Sequence, residues 1–130
     1  VMERAYRDEN RLIGCYATGL PANHVPAERR TLLSPRLLEL CFQTASLWEL
    51  AASSRMGLPY KVERVRAYGV PEHAKGALRA EVSPGDAGGF DARVVDEQGE
   101  VFLVMQGYRT VALPEGLAPE SLLPLQDAIG

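Results

Sequence analysis

A side chain that can transfer a proton and one that can form hydrogen bonds lie close together in the sequence. Glu39 and Gln43 are separated by four residues, and side chains at this spacing project from the same face of a helix. A carboxyl group can donate or accept a proton during a reaction. The same spacing is also typical of the solvent-facing stripe of an amphipathic helix, so the pattern alone leaves both interpretations open.

The helix that would carry this pair is predicted over residues 34–54. Ser34 is expected to be its N-cap and Pro35 its first helical residue, and Gly57 is expected to end it. Apolar side chains cover most of the remaining circumference, namely Leu37, Leu38, Leu40, Cys41, Ala45, Leu47, Trp48 and Ala51. A helix of this kind should be buried on most sides, and we expect Trp48 to belong to the core.

The rest of the chain shows the pattern of an antiparallel sheet. Alternating apolar and polar residues predict strands over residues 11–19, 62–68, 77–82, 90–95 and 101–111. Residues 96–99 are expected to form a hairpin turn, and Gly107 a bulge or a close backbone approach. The turns are too short for parallel crossovers. We therefore predict an α+β hotdog fold, with an antiparallel sheet of about five strands wrapped around one long central helix.

Length, composition and charge exclude several classes of protein. The chain of 130 residues is 46% apolar and 24% charged, and its net charge of −3 argues against nucleic-acid binding. No apolar run is long enough to span a membrane. Cys15 and Cys41 have no metal-ligand spacing, so we expect no metal site and two reduced cysteines in a cytoplasmic protein.

The domain organisation follows from where the predicted strands end. Residues 1–113 are predicted to form a single hotdog domain, and residues 114–130 a C-terminal tail or linker. The sequence also suits a piece excised from a longer polypeptide.

One segment of the sequence resembles a known family. Residues 33–111 are similar to the C-terminal hotdog of polyketide synthase dehydratase domains, which also occur in polyunsaturated fatty acid synthases. The family helix has a His-Pro-x-x-x-Asp-x-x-x-Gln/His pattern, in which Pro35 and Gln43 match, Ser34 replaces the histidine and Glu39 replaces the aspartate. Further matches are Leu58-Pro59-Tyr60, Tyr68-Gly69, Val95-Asp96-Glu97-Gln98-Gly99-Glu100 and Gln106-Gly107-Tyr108-Arg109.

This resemblance implies a reaction and a set of site residues. Glu39 would protonate the departing hydroxyl of a 3-hydroxyacyl chain, and Gln43 would orient it. The residues implied in substrate binding are Pro35, Tyr60, Tyr68 and Tyr108. The substrate would be presented on the phosphopantetheine of an acyl carrier protein, and the enzyme itself would need no cofactor.

The resemblance also implies a second hotdog. In the family, the catalytic base is a histidine of the first hotdog, in a His-x-x-x-Gly-x-x-x-x-Pro frame. Neither His24 nor His73 fits this frame. We therefore expect a partner hotdog or a homodimer to complete the 3-hydroxyacyl-carrier dehydratase, which is a lyase.

Two alternative functions remain open at the level of sequence. The first alternative to a catalytic domain is a non-catalytic hotdog that docks against a partner half or a carrier protein. A stand-alone acyl-thioester-binding hotdog of the thioesterase type is a further alternative, because this fold supports several acyl chemistries. Arg29 and Arg30 suit either a phosphate contact or a solvated loop.

Overall fold

The computed structural model describes residues 1–22, 25–29, 31–113 and 119–129, and these form seven strands and two helices. In chain order the elements are β1 (Met2–Asp8), β2 (Arg11–Tyr16), α1 (Pro35–Ser53), β3 (Gly57–Lys61), β4 (Arg64–Ala67), β5 (Arg79–Pro84), β6 (Phe90–Val95), β7 (Val101–Ala112) and α2 (Leu123–Ile129). Two short 3-10 helices cover Pro71–His73 and Pro119–Leu122. None of the helices in these ranges is long and apolar enough to cross a membrane.

The strands form one antiparallel sheet. The order of neighbours is β1-β2-β5-β6-β7-β3, and β4 also pairs with β7. The strand β7 is long enough to hold two partners on one side, because residues 103–106 pair with β4 and residues 109–112 pair with β3. Gly107 lies between these two regions with a φ of +66°, where the register with β6 also shifts. The predicted bulge at Gly107 is therefore confirmed.

The prediction of about five strands was wrong, because β1 and β3 were missed. The sequence of β1, MERAYRD, is mostly polar, and β3, GLPYK, contains a glycine and a proline. Both strands lie at an end of the strand order, where a strand has one neighbour and little apolar surface to bury. Alternation in sequence is therefore weak in these two strands, although their backbones pair with the sheet.

Helix α1 begins at Pro35, as predicted, and its 19 residues pack against the sheet. Ser34 takes the N-cap position without a side-chain hydrogen bond. The helix ends earlier than Gly57, because Ser54 adopts a left-handed conformation (φ +53°) and its N–H donates to the carbonyl of Leu50. Gly57 instead begins β3. Helix α1 contacts six strands, namely β1, β2, β3, β5, β6 and β7. The sheet therefore fixes the position of the helix through these contacts.

The core lies between α1 and the sheet. The helix contributes Leu37, Leu40, Cys41 and Ala45, and the sheet contributes Ala80, Val82, Val94, Leu103, Met105 and Tyr108, among others. Trp48 packs at the margin of this core, half-buried, with the guanidinium carbon of Arg7 on β1 4.3 Å from its ring centroid. Cys41 is buried in this core, and burial raises the pKa of its thiol to about 12. Cys15 is half-buried.

The C-terminal segment contains an element that the sequence analysis did not predict. Helix α2 contacts α1 and β1, and the side chains of Leu122 and Ile129 are buried. Gln126 Nε2 donates to Ser54 Oγ at 3.3 Å, which connects α2 to the end of α1. The domain boundary at residue 113 stays a prediction, and residues 119–129 pack on the domain rather than extending from it.

Candidate functional site

Glu39 and Gln43 lie on the wall of an apolar groove of about 360 Å³. The groove runs along the exposed side of α1, next to β1 and the start of β3. Its other lining residues are Met2, Phe42, Ser46, Leu47, Leu50, Met56, Gly57 and Pro59. A groove of this size and lining suits an apolar chain with one polar group near Glu39.

The two polar side chains of the groove are joined by a hydrogen bond. Gln43 Nε2 donates to Glu39 Oε1 at 3.0 Å, and the backbone N–H of Met2 donates to Gln43 Oε1 at 3.0 Å. The contact from β1 fixes the amide with its nitrogen toward the carboxyl group. Glu39 is exposed and Gln43 is half-buried. The structure thus brings together the two residues predicted to act as a pair, at the surface of an apolar groove.

The other predicted site residues occupy different places. Pro35, Tyr60 and Tyr68 are exposed, the two tyrosines at 70% and 60%, and they do not line this groove. Tyr108 is fully buried behind the groove and stacks on Phe42, with ring centroids 4.8 Å apart and an interplanar angle of 29°. Their roles in substrate binding stay predictions.

The hydroxyl group of Tyr108 is unusual among buried polar atoms in this protein. It has no hydrogen-bond partner within the part of the chain that the structure describes. Burial, together with the charges of Glu49 and Glu39, raises the pKa of Tyr108 to about 12. The hydroxyl therefore stays protonated at neutral pH and can act as a hydrogen-bond donor.

A second carboxyl group near the groove was missed in the sequence analysis. Glu49 is only 8% exposed, and its Oε1 accepts a hydrogen bond from Thr110 Oγ1 at 2.6 Å. Its Oε2 lies 3.6 Å from Arg55 Nε. A Cβ atom on Gly57 would come within 2.6 Å of Glu49 Oε1, so glycine is needed where β3 passes this carboxyl group. The signal that could have indicated this site is a charged residue of α1 that lies off the helix face shared by Glu39 and Gln43.

The structure describes two of the four loop residues considered in the sequence analysis. His73 is exposed in a 3-10 helix, and Arg29 is exposed. His24 and Arg30 lie outside the described residues. Among the residues that are described, no group of three or more His, Cys, Asp or Glu side chains is arranged to hold a metal ion.

A second cleft, of about 410 Å³, lies at the β5–β6 turn and is polar. It is lined by Glu63, Arg64, Asp86, Asp91, Arg109 and neighbouring residues. Two of these side chains bind backbone groups, since Asp91 Oδ1 accepts from the N–H of Gly107 at 3.0 Å and Arg109 donates to the carbonyl of Ala87 at 2.7 Å. This cleft lacks the apolar lining that an acyl chain requires, so the groove along α1 is the better candidate site.

Comparison with known proteins gives the family. A family model described as the polyketide synthase dehydratase N-terminal domain matches residues 1–120, so this chain belongs to that family. The description names the N-terminal domain, and the resemblance of residues 33–111 to the C-terminal hotdog is therefore not confirmed. No curated protein gave a significant sequence match.

Solved structures agree with this fold. The chain is similar to the dehydratase domain from the CurK module of curacin polyketide synthase, with 19% sequence identity and a TM-score of 0.63 over 86% of this chain and 39% of that chain. It is also similar to a trans-AT polyketide synthase dehydratase domain from Brevibacillus brevis, with 20% identity and a TM-score of 0.64 over 86% of this chain and 40% of that chain. Both neighbours have a hotdog-like dehydratase fold. The chain thus spans about two fifths of the length of each.

Proposed function

We propose that this chain is a dehydratase-type hotdog of a multidomain polyketide or fatty acid synthase, and that Glu39 is its catalytic acid. The observation that carries the proposal is the hydrogen bond from Gln43 to Glu39 on the wall of an apolar groove. An acyl chain would lie in the groove, with its 3-hydroxyl group at Glu39. The substrate would be presented on the phosphopantetheine of an acyl carrier protein, with no further cofactor.

The proposed reaction removes water from a 3-hydroxyacyl thioester. A base takes a proton from carbon two, the bond between carbon three and oxygen breaks, and Glu39 gives its proton to the departing oxygen. A double bond forms between carbons two and three, and water leaves. A base that removes one proton and an acid that donates another together lower the barrier to the elimination of water.

Gln43 would position the departing hydroxyl group. A side-chain amide carries two hydrogens on its nitrogen, and one of them is directed at Glu39 Oε1. The other can donate to the substrate hydroxyl group while Glu39 protonates it. The N–H of Met2 holds the amide in this orientation, so a residue of β1 supports a site on α1.

The base would come from a second hotdog, because the described part of the groove contains no histidine. This requirement supports assignment of the chain to the half that supplies the helix acid, which in the family resemblance is the C-terminal half. A partner hotdog that covers the groove would also remove Glu39 from water. Glu39 is one methylene longer than the aspartate of the family, and positioning by Gln43 offsets part of that difference.

The experiment that tests this function uses the intact parent polypeptide loaded with a 3-hydroxyacyl chain. Glu39→Gln should lower the formation of enoyl product about a hundredfold, because the acid is lost. Gln43→Ala should lower it about tenfold, because the hydroxyl group is less well oriented. Mass spectrometry of the carrier-bound chain measures both products, and Ser46→Ala, which changes the same groove, is the matched control.

The outcome of this assay also separates the alternatives. Undiminished enoyl product from both variants would contradict the acid role of Glu39. The exposure of Glu39 favours a second candidate, a non-catalytic hotdog that docks against a partner. In that case the Glu39→Gln variant would retain full turnover, and disruption of the interface would abolish it. Release of free 3-hydroxy acid would instead indicate a thioesterase-type protein.

A further inference from the structure

We propose that the hydroxyl group of Tyr108 is a second polar contact of the groove, which selects acyl chains that carry an oxygen atom in addition to the 3-hydroxyl group. This inference rests on the proposed function, since it assumes that the groove holds an acyl chain. Its basis is that Tyr108 is fully buried and its hydroxyl group has no hydrogen-bond partner in the described ranges. Buried hydroxyl groups in folded proteins are almost always paired, because an unpaired one is destabilising.

The position of Tyr108 connects it to the groove. Its ring stacks on Phe42, and Phe42 is one of the groove residues. The proposed contact requires the half-buried side chain of Phe42 to change rotamer, so that a ligand in the groove reaches the hydroxyl group.

The neighbouring polar groups do not use this donor. Glu49 Oε1 already accepts a short hydrogen bond from Thr110 Oγ1, and Glu49 Oε2 faces Arg55. Thr110 is therefore committed to Glu49 as well. The Tyr108 hydroxyl group, protonated at neutral pH, keeps its hydrogen for a ligand.

The chemistry of a hydroxyl donor in an apolar groove defines the ligand class. A hydroxyl or keto oxygen on the chain accepts its hydrogen bond, whereas a fully reduced chain leaves it unpaired. Polyketide chains keep such oxygens on alternate carbons, and saturated fatty acyl chains do not. A site with a buried donor discriminates between such ligands by about tenfold or more.

The test compares matched acyl probes on the full chain. The probes are the pantetheine thioesters of 3-hydroxydecanoic acid and of the three acids with a second hydroxyl group on carbon five, seven or nine. We expect one dihydroxy probe to bind about tenfold more tightly than the 3-hydroxy probe, as measured by calorimetry. Tyr108→Phe should remove this preference and leave the affinity for the 3-hydroxy probe unchanged. Tyr6→Phe, at an exposed tyrosine outside the groove lining, should retain it.

A second measurement on the unmodified chain covers the case in which Tyr108→Phe does not fold. The ring carbon that bears the Tyr108 hydroxyl group should shift in carbon NMR with the preferred dihydroxy probe and not with the 3-hydroxy probe. Equal affinities for all four probes, or a preference that survives Tyr108→Phe, would overturn the inference and leave the proposed function standing. Absence of binding by every probe would overturn both.

Discussion

At the scale of single residues, Asp96 shows how one carboxyl group joins two distant parts of the chain. Its side chain is fully buried, and it accepts hydrogen bonds from the backbone N–H groups of Lys75, Gln98 and Glu100 at 2.9–3.0 Å. Burial acts to raise the pKa of Asp96, but these three donors and the charge of Lys75 outweigh it, so the pKa lies below its ordinary value of 3.8. Asp96 therefore stabilises both the β6–β7 hairpin and the segment before β5.

Replacement of Asp96 tests this role. Asp96→Asn should lower the free energy of unfolding by about 2 kcal/mol at pH 7, because the amide offers a donor where a backbone N–H needs an acceptor. The folded-state pKa is depressed, so the contribution of Asp96 is complete above about pH 4 and is lost as the pH falls through the folded pKa. Denaturant unfolding at several pH values measures both effects.

The control for this experiment is Glu97→Gln, one residue further on, where the side chain is exposed. It should change stability little at any pH. A Glu97→Gln loss as large as that of Asp96→Asn, or a difference between the parent chain and Asp96→Asn that does not shrink as the pH falls below about 4, would contradict this account.

The residues of the candidate site differ in how well the sequence predicts them. The pairing of Glu39 with Gln43 follows from helical spacing, which is a local property, and the structure shows it as a hydrogen bond. The burial of Tyr108 and the contact between Glu49 and Thr110 depend on how β7 packs under α1. Those contacts join residues far apart in the chain, and periodicity does not encode them.

At the scale of elements, α1 and the sheet approach each other closely where Gly14 of β2 meets Thr44. A Cβ atom on Gly14 would lie 2.0 Å from Thr44 Oγ1. Thr44 is fully buried, and its hydroxyl group donates to the carbonyl of Leu40 at 2.7 Å. Glycine at this position therefore allows the close approach of α1 to β2.

A double-mutant cycle measures this contact. Gly14→Ala should destabilise the chain by about 2 kcal/mol, because the added methyl group overpacks the interface. Thr44→Ala removes the atom that the methyl group would meet, so Gly14→Ala should cost much less in that background. Equal costs of Gly14→Ala in both backgrounds, measured by denaturant unfolding, would show that Thr44 does not limit the approach.

Prediction from the sequence found every strand that has neighbours on both sides, and also β4, which pairs with β7 alone. Strand β6 was predicted with its observed bounds, and β7 was predicted to within one residue. The edge strands β1 and β3 were missed because their side chains bury little apolar area. Helix α2 was missed because PLQDAI lacks a strong period, and its stability comes from packing on α1 and β1.

At the scale of the whole molecule, the chain presents an apolar edge. The end strand β3 exposes Leu58 and Tyr60, and Val111 is exposed on the paired residues of β7. The chain spans about two fifths of each dehydratase structure that it resembles. An edge strand with exposed apolar side chains favours association with a second hotdog.

We therefore expect the chain to self-associate into a double hotdog in solution. Sedimentation at increasing concentration should show a dimer, and Leu58→Glu should shift it to a monomer because a charge would be buried at the interface. Lys61→Glu, also exposed on β3, is a matched control at the end of the strand. A parent chain that is monomeric at high concentration would contradict this expectation.

The α+β class was predictable because it depends on the order of the elements and on the length of the turns. A long central helix clasped by the sheet, in contrast, is not shown, since α1 spans 19 residues. The count of strands was not predictable, and neither was the packing of residues 119–129. Both depend on tertiary contacts that form after the local elements exist. The family membership of residues 1–120 agrees with the resemblance of residues 33–111, while the half to which the chain corresponds stays a proposal.

The stacking of Arg7 on Trp48 gives the protein a built-in optical reporter. Trp48 is the single tryptophan of the chain, and the residue stacked on it belongs to the same strand as Met2, whose N–H holds the Gln43 amide. Detachment of β1 would expose the indole ring to solvent and shift its fluorescence emission to longer wavelength. The integrity of the groove wall can therefore be followed in real time, without any label.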